Sequence, residues 1–278
     1  MLAKQRQAMI LDHVRRAGGV RVSELTELLG VSDMTVRRDL EVLARDGLIE
    51  KVHGGATLAS ASSMDEPGFE AKSSRELGEK DAIGQAAARL VRPGTAIALS
   101  AGTTTWALAR YISHVRDLTI VTNSIRVADV LQQGPGNPTV ILTGGVRTPS
   151  DALVGPVADL AIRSLHFDVF FVGCHGIDPQ AGLTAPNLAE SETNRSFIRG
   201  ARTVVLTADH TKWATVGLSS FANLNEVDIL VTDTGLSKED LATAADHIDR
   251  VIVAGEDGDI EFDSAENDNA GKNAARVG

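Results

Sequence analysis

Residues 30–47 have the sequence GVSDMTVRRDLEVLARDG, and this stretch decides the fold of the N-terminal part of the chain. Val36, Leu40 and Leu43 recur at positions i, i+4 and i+7, so they share one face of a helix with about 3.6 residues per turn. At about 100° per residue, Arg38 points away from that apolar face. The pattern predicts a short amphipathic helix with an apolar side for the core and a basic side for solvent.

Both ends of this predicted helix carry sequence signals. Ser32 can cap the first unpaired amides, and Asp33 suits the positive end of the helix dipole. Asp46 precedes Gly47, a residue that can adopt the positive φ at which helices commonly end. The positions on or beside the solvent-facing side are Met34, Thr35, Arg37, Arg38 and Arg45.

The preceding segments complete a helical domain. Residues 22–29 carry a second short apolar stripe, and only a tight turn at residues 30–31 separates it from the arginine helix. That arrangement is typical of a helix-turn-helix. Residues 3–17 carry apolar side chains at helical spacing and predict a third helix.

The following segment predicts a two-stranded wing, with strands at residues 48–52 and 56–58 and a turn at residues 53–55. Short helices joined by glycine also occur in many all-helical proteins, where Arg37 and Arg38 would simply be solvated. The paired arginines, the capping serine and the basic glycine turn together favour a nucleic-acid interface. The predicted DNA contacts are Ser32, Met34, Thr35, Arg37, Arg38, Lys51, His53 and Gly54. For Lys4 and Arg6, a phosphate contact and a solvated helix start fit equally well.

Residues 3–58 resemble the winged helix-turn-helix domain of the DeoR family of bacterial transcriptional regulators. The matching residues are Val31-Ser32, Thr35-Val36-Arg37-Arg38-Asp39-Leu40, Leu43, Gly47-Leu48 and His53-Gly54-Gly55-Ala56. In that family this domain binds operator DNA. The resemblance therefore implies double-stranded operator DNA as a partner, and a repressor or activator rather than an enzyme.

Composition divides the chain unevenly. With 278 residues and 43% hydrophobic content, the chain can form two domains, each with its own core. Residues 1–58 hold 9 Lys and Arg against 8 Asp and Glu, whereas residues 59–278 hold 18 against 29. The acidic larger part should repel DNA, so the small basic surface of the first part is the expected contact.

Cys174 is the only cysteine in the sequence, so no intrachain disulfide can form. No apolar run approaches the ~20 residues of a membrane span, and the N-terminus lacks a secretory signal. We therefore expect a cytoplasmic protein without membrane contact.

Beyond the DNA-binding domain at residues 1–58, three further parts are predicted. Residues 59–75 are small, polar and broken by Pro67-Gly68, which predicts a linker, with Phe69 able to dock on a neighbouring surface. Residues 76–254 predict a larger α/β domain that begins with an amphipathic helix. Residues 255–278 include seven acids between positions 256 and 268, which predicts a disordered tail.

The larger domain alternates short apolar runs with helical patterns, as expected for a mainly parallel sheet. The predicted strands are residues 96–99, 118–121, 139–142, 168–172, 203–206, 228–231 and 250–253. Ligands of open α/β sheets bind outside the carboxyl ends of the strands. The loops that follow these strands are therefore the predicted ligand site.

One of those loops, Ser100-Ala101-Gly102-Thr103-Thr104-Thr105, leads directly into a helix, where free amides and hydroxyls suit a phosphate. It lacks the Gly-Lys-Ser/Thr of a P-loop, and in isolation Gly102 could merely make the turn while the threonines cap the helix. Other donor-rich loops at the same edge favour an anionic ligand rich in hydroxyls, such as a sugar phosphate. The predicted ligand residues are Ser100, Gly102, Thr103, Thr104, Thr105, Thr122, Asn123, Ser124, Gly144, Gly145, Arg147, Asp151, His175 and Lys212.

Residues 76–254 resemble the sensor domain of the same family, which is related in fold to ribose-5-phosphate isomerase and glucosamine-6-phosphate deaminase. The matching runs are GTTT (102–105), TNS (122–124), GG (144–145), GCHGID (173–178), GLT (182–184) and ADHTK (208–212). Many relatives carry an acidic residue where this chain has Ser100. The resemblance implies a phosphorylated sugar as effector, and the departure at Ser100 bears on a contact to a sugar hydroxyl and on the choice of effector.

The main hypothesis is an effector-controlled regulator, expected to be a repressor of carbohydrate metabolism genes, that binds a repeated operator as a dimer or tetramer. The alternative is a sugar-phosphate isomerase or deaminase with an appended DNA-binding module, and a third is a nucleic-acid adaptor with a structural α/β domain. The candidate acid/base groups are Asp151, Glu190, Glu192 and Asp209, and they show no convincing paired spacing. Cys174, His175 and His210 do not have metal-site spacing, so neither a metal nor a cofactor is predicted.

Overall fold

The computed structural model describes residues 3–17, 19–45, 48–52, 54–58, 68–255 and 258–262. They belong to two compact units, which divide between Ser62 and Ser63. His53 and the predicted helix end at Asp46 and Gly47 lie outside the described residues, as does most of the predicted linker and tail. Within the described residues, no helix is long and apolar enough to cross a membrane.

Three helices and a small sheet form the first unit. The helices are α1 (Ala3–Ala17), α2 (Val22–Leu29) and α3 (Asp33–Arg45). The strands are β1 (Gly19–Arg21), β2 (Ile49–Val52) and β3 (Gly55–Leu58), in the spatial order β1-β3-β2. The two predicted strands of the wing are confirmed as the antiparallel pair β2 and β3, and β1 is an additional strand that was not predicted. Strand β1 pairs antiparallel with β3 and contributes the buried side chain of Val20 to the core, which a run of three residues does not reveal in the sequence.

The apolar faces of these helices meet in one core. Val36, Leu40 and Leu43 of α3 are each at most 4% exposed, and they pack in the same cluster as Ile10 of α1 and Leu25 of α2. The predicted apolar stripe is confirmed. Because this side of α3 is fully used in packing, its opposite side is the part that can meet a partner.

The turn between α2 and α3 depends on a glycine. Gly30 has φ +62°, and its amide donates to the carbonyl of Thr26 at 3.0 Å. Residues with a side chain are strained in this left-handed conformation. The predicted cap of α3 is confirmed, because the Oγ of Ser32 accepts a hydrogen bond from the amide of Thr35 at 3.3 Å.

Asp39 of α3 is buried, and α1 supplies its partners. Arg6 forms an ion pair with this carboxylate, and the side-chain amide of Gln7 donates to it at 3.0 Å. A buried carboxylate is stable only when it is paired. The side chain of Arg6 therefore pairs with Asp39 inside the domain. This pairing corrects the interpretation of Arg6 as a phosphate contact.

Among the residues that the structure describes, eight strands form the main sheet of the second unit. In spatial order they are β16 (Ile260–Phe262), β15 (Arg250–Ala254), β14 (Ile229–Asp233), β12 (Val204–Thr207), β9 (Val169–Val172), β4 (Ala96–Leu99), β5 (Thr119–Thr122) and β6 (Thr139–Leu142). All neighbours are parallel except β15 and β16. The predicted α/β fold with a mainly parallel sheet is confirmed, and each predicted strand lies within two residues of an observed one.

Helices and two smaller β elements accompany the sheet. The helices are α4 (Phe69–Ser73), α5 (Leu77–Ala88), α6 (Thr103–Ile112), α7 (Ile125–Gln133), α8 (Pro156–Arg163), α9 (Leu188–Gly200) and α10 (Lys238–Ala245). A second antiparallel sheet contains β10 (Gly176–Asp178), β11 (Gly182–Ala185) and β13 (Ser219–Ala222), and a ribbon contains β7 (Val146–Arg147) and β8 (Leu153–Val154). These smaller elements were not predicted from the sequence.

Both faces of the central strands of the main sheet are buried, whereas the edge strands β6 and β16 are largely exposed. Phe170 of β9 stacks on Phe197 of α9 with ring centroids 4.9 Å apart. The next residue, Phe171, belongs to the opposite cluster, with Ile83 of α5 and Leu108 of α6. Successive side chains of a strand point to opposite faces, so a strand covered on both sides is apolar throughout. This explains why the strands appear in the sequence as short continuous apolar runs.

Two boundaries of the predicted domain plan are corrected. Helix α4 lies within the predicted linker 59–75, so part of that segment is ordered. Phe69 is 7% exposed and meets the ring of Trp106 edge-on at 5.8 Å, which is the docking expected for Phe69. Strand β16 lies within the predicted tail 255–278. It pairs with β15, and Arg250 of β15 forms an ion pair with Glu261 of β16 at 2.6 Å.

Candidate functional site

The solvent-facing side of α3 carries the predicted DNA contacts. Ser32, Arg37 and Arg38 are exposed, Met34 is 70% exposed, and Thr35 is half-buried. The hydroxyls of Ser32 and Thr35 lie 2.9 Å apart, so each is partly occupied at the start of the helix. The structure therefore presents these five residues together on one accessible side of α3.

The cations near this surface differ in how far they are already paired. Arg37 lies 2.5 Å from Asp33, and the Nζ of Lys51 on β2 lies 3.3 Å from Glu41. Arg38 is exposed and makes no ion pair within the described residues. Its guanidinium is therefore the most available of the predicted contacts. Gly54 is exposed with φ +79° at the turn of the wing.

In the second unit, the predicted ligand loops lie around strand β4. From β4 the chain proceeds through β5 to β6 on one side, and then returns to β9 on the other side and continues to β12, β14 and β15. A sheet whose order reverses in this way has a crevice at the reversal, outside the carboxyl ends of its strands. The loop 100–105 follows β4, so it lies at this switch point.

The start of α6 offers unpaired donors at that position. Gly102 precedes the helix and provides no side-chain cap, so the first amides of α6 have no partner from capping. Thr103 and Thr104 are 9% and 6% exposed, and neither hydroxyl forms a hydrogen bond within the described residues. Amides and hydroxyls at a helix start are suited to an anion.

Several other predicted ligand residues use their side chains to hold the loops together. Thr105 donates its hydroxyl to the carbonyls of Ser100 (2.7 Å) and Gly102 (3.1 Å), so the expectation of a free Thr105 donor is corrected. The side-chain oxygen of Asn123 accepts a hydrogen bond from the backbone amide of Ala101 at 2.8 Å. Its side-chain nitrogen donates to the carbonyl of Leu153 at 3.2 Å. These bonds fix the loop after β4 against the loop after β5.

The remaining side chains around the switch point are also tied. The Oγ of Ser100 accepts from the amide of Gly173 at 3.0 Å. Thr122 accepts from the amide of Ser124 at 3.0 Å, and Ser124 caps α7 through the amide of Val127 at 3.2 Å. Side-chain hydrogen bonds thus join the ends of β4, β5 and β9, where the crevice is expected.

Asp151 lies between two arginines. It is 5% exposed with φ +60°, and its carboxylate lies 2.6 Å from the Nε of Arg126 and 2.7 Å from the Nε of Arg147. The hydrogen bond from Arg126 is the main cause of a lowered pKa of Asp151. The carboxylate predicted as a ligand contact is therefore already paired. Arg126 was not predicted, because its partner is 25 residues away in the chain.

The glycine pair after β6 has a conformational role. Gly144 and Gly145 have φ values of +72° and +121°, which favour glycine. A Cβ atom on Gly145 would lie 2.6 Å from the carbonyl oxygen of Val154, so the ribbon β7-β8 can approach only a residue without a side chain. Any contact from this pair to a ligand would come from the backbone.

A second group of polar residues follows β9, β12 and β14. His175 and Lys212 are half-buried, and Asp209 is buried, with its Oδ1 accepting from the amide of Thr211 at 3.1 Å and its Oδ2 lacking a hydrogen-bond partner. His210 pairs with Asp233 at 2.8 Å. No group of three or more His, Cys, Asp or Glu residues suited to a metal ion occurs in the part of the chain that the structure describes.

Two groups in this region, the buried Lys80 and the half-buried Cys174, have shifted pKa values. Burial lowers the pKa of Lys80 to about 8, with Asp209 opposing the shift. Its Nζ donates to the carbonyls of Lys72 at 2.8 Å and Arg75 at 2.5 Å. Burial raises the pKa of Cys174 to about 12, so its thiol stays protonated at neutral pH. Lys80 was missed in the sequence because it is one charged position on an otherwise amphipathic helix.

We predict that Lys80 titrates with a midpoint near pH 8, because the buried ammonium loses hydration that its two carbonyl partners only partly replace. From that midpoint up to the ordinary lysine range, the unfolded chain holds more protons on this group. Its contribution to the free energy of unfolding therefore rises with pH over this window. Lysine side-chain carbon NMR over a pH series measures the midpoint, and Lys80→Arg identifies the resonance. A midpoint in the ordinary lysine range would contradict the burial.

Comparisons with known proteins agree with this architecture. Residues 6–62 match the family model "DeoR-like helix-turn-helix domain", and residues 75–234 match "DeoR C terminal sensor domain". The chain is 36% identical over 237 residues to the uncharacterized HTH-type transcriptional regulator YgbI of Escherichia coli, an alignment that covers 85% of this chain and 92% of that protein. It is 34% identical over 222 residues to the lactose phosphotransferase system repressor of Staphylococcus aureus, covering 79% and 88%.

A solved structure shows a more distant likeness. The ribose 5-phosphate isomerase A of Methanocaldococcus jannaschii is 11% identical, with a TM-score of 0.39, and the match covers 66% of this chain and 97% of that chain. That likeness is too low to inform function. The two family models together cover most of the sequence, from the helix-turn-helix through the parallel sheet. The chain therefore belongs to the DeoR family of transcriptional regulators.

Proposed function

We propose that this regulator binds operator DNA through α3 and the wing, and that a phosphorylated sugar bound at the switch point of the second unit changes its affinity for DNA. The observation that carries the effector proposal is the start of α6. There, uncapped amides and the unbonded hydroxyls of Thr103 and Thr104 converge beside β4.

The chemistry of the crevice supports an anion with hydroxyl groups. A phosphate at the start of α6 would gain charge-assisted hydrogen bonds from amides and hydroxyls. Arg147, with 62% of its side chain exposed, and the half-buried Lys212 add cations from neighbouring loops. Because the larger part of the chain carries a net negative charge, an anion is attracted by these local donors rather than by the overall field.

The relatives support a role in carbohydrate metabolism. One of them is named a repressor of the lactose phosphotransferase system, and we propose repression of carbohydrate genes for this chain too. A helix-turn-helix gains specificity by engaging two half-sites, so the proposal includes a homodimer or tetramer on a repeated operator. As a DNA-binding regulator, it would act in the cytoplasm.

We propose no catalytic activity for this protein. An isomerase needs a base beside the reacting carbon and a group that returns the proton. Among the candidate acids, Asp151 is held by two arginines, and Glu192 is paired with Arg195. The thiol of Cys174 is protonated at neutral pH and is a poor nucleophile. We therefore expect no turnover of ribose 5-phosphate or glucosamine 6-phosphate.

We predict that Arg38→Ala weakens operator binding by roughly 1 to 3 kcal/mol and relaxes sequence preference at one position, as expected for a base contact in the major groove. Fluorescence anisotropy with a duplex selected from a random library by the wild-type chain measures the affinity. Lys51→Ala is the matched comparison, because loss of a phosphate contact weakens all sequences alike and reduces the salt dependence. Wild-type affinity and salt dependence in both variants would show that this surface does not contact DNA.

We predict that Thr104→Val weakens binding of the effector on the order of tenfold to a hundredfold, because a charge-assisted hydrogen bond contributes ~1.5 to 3 kcal/mol. Lys212→Met should act in the same direction. Calorimetry with a panel that includes ribose 5-phosphate and glucosamine 6-phosphate measures the affinity, and the parent sugars should bind far more weakly. Thr243→Val, a similar change in α10 away from the crevice, serves as the control. Equal affinity in wild type, Thr104→Val and Lys212→Met would place the effector elsewhere.

A further inference from the structure

Helix α4 lies against the loops that form the proposed effector site. The ring of Phe69 meets Trp106, in the first turn of α6, edge-on at 5.8 Å. The amide of Phe69 donates to the carbonyl of Pro149 at 3.3 Å, and the Nζ of Lys72 donates to Ser150 at 2.8 Å. Pro149 and Ser150 directly precede Asp151. Helix α4 thus contacts α6, which begins at the loop 100–105, and also residues 149–150, in the segment that follows Gly144 and Gly145.

Arg126 connects this helix to Asp151. It lies in the first turn of α7, two residues after Ser124, and its Nε donates to the buried carboxylate of Asp151 at 2.6 Å. Its terminal nitrogen donates to Glu70 of α4 at 2.9 Å. The guanidinium carbon also lies 4.9 Å from the ring centroid of Phe69. A single side chain therefore holds a loop of the proposed site with one nitrogen and α4 with another.

The two ion pairs of Arg126 differ in strength. The side chain of Asp151 is 7% exposed, whereas that of Glu70 is 79% exposed. Exposed ion pairs are screened by water and salt and are easily exchanged. An anion that enters the crevice would compete with Asp151 for the two arginines that hold it, because a guanidinium forms charge-assisted hydrogen bonds with a phosphate as well as with a carboxylate. A small shift of Arg126 toward such an anion would loosen its contact with Glu70.

The other end of α4 is held by a separate contact. The Nζ of Lys80, buried on α5, donates to the carbonyls of Lys72 and Arg75. These bonds fix the C-terminal end of α4 and the residues after it. The N-terminal end, which continues into the chain leading to the DNA-binding unit, depends on the contacts of Phe69 and Glu70. This asymmetry allows the N-terminal end of α4 to move while the other end stays in place.

We propose that Arg126 couples occupancy of the sensor to the DNA-binding unit by holding or releasing the N-terminal end of α4. The inference rests on the proposed function, because it assigns the route by which that same site controls DNA binding. Arg126 is a positioning residue here, and Glu70 is its partner on α4. Because coupling is reciprocal, DNA bound to the first unit must alter the docking of α4, just as ligand bound to the second unit does.

The first test needs no effector. Hydrogen–deuterium exchange is measured on the full chain, with and without a duplex selected from a random library by the wild-type chain. DNA should change exchange at residues 69–73 as well as in α3. Glu70→Gln should speed exchange at residues 69–73 without DNA and shrink the DNA-dependent difference. Glu239→Gln, an exposed acid in the first turn of α10, is the matched control. The coupling would be overturned if hydrogen–deuterium exchange at residues 69–73 changed neither when DNA binds nor in Glu70→Gln.

The second test separates this coupling from the effector proposal. Ribose 5-phosphate and glucosamine 6-phosphate are titrated into the wild type, Glu70→Gln and Arg126→Lys, and both ligand affinity and operator affinity are measured. Glu70→Gln should leave ligand affinity within about twofold and reduce the ligand-dependent change in operator affinity by about two- to fivefold. Arg126→Lys keeps the charge but loses the planar guanidinium, whose separate nitrogens reach Asp151 and Glu70, and should act similarly on the response.

The outcomes of the two tests are distinguishable. If a sugar phosphate binds and both variants respond as the wild type does, the coupling is wrong while the proposed function stands. If no member of a wider panel of sugar phosphates binds, the effector proposal fails, and the exchange experiment alone decides whether α4 is coupled to DNA binding.

Discussion

Strand β4 pairs in parallel with β5 on one side and with β9 on the other, and the order of the sheet reverses at this strand. Parallel pairing brings the carboxyl ends of all three strands to one edge, so their loops must meet there. Asn123 and Ser100 then lock those loops together. The uncapped start of α6 is left facing the crevice, and the effector proposal depends on this arrangement.

Much of the fold could be predicted from the sequence because burial leaves a simple pattern. The central strands of the main sheet are covered on both faces, as Phe170 and Phe171 illustrate, so each appears as a short apolar run. The apolar stripe of α3 is equally plain. Strands β1 and β10 escaped prediction because each is three residues long, too short for an alternating pattern to stand out. Strand β1 also owes its conformation to β3, a partner distant in sequence, whereas β10 pairs with the nearby β11.

The sequence predicts which loops meet beyond the end of β4, but not how their side chains are bonded. The motif at residues 102–105 indicated the loop, yet the sequence does not show that Thr105 bonds within the loop while Thr103 and Thr104 stay unbonded. Arg126 and Glu70 are 56 residues apart in the chain, and α4 lies in a polar segment without core pattern. Contacts of this kind depend on the tertiary fold, so no local signal could have revealed them.

The central claim is that a phosphorylated ligand in the second unit controls DNA binding by the first. The most direct measurement is the operator affinity of the wild-type chain against matched pairs of ligands, such as ribose 5-phosphate with ribose and glucosamine 6-phosphate with glucosamine. A wider panel of sugar phosphates with their parent sugars completes the set. At least one phosphorylated member should shift the affinity, whereas its parent sugar at the same concentration should not. An affinity that responds to an unphosphorylated sugar, or to no member of the panel, would contradict it.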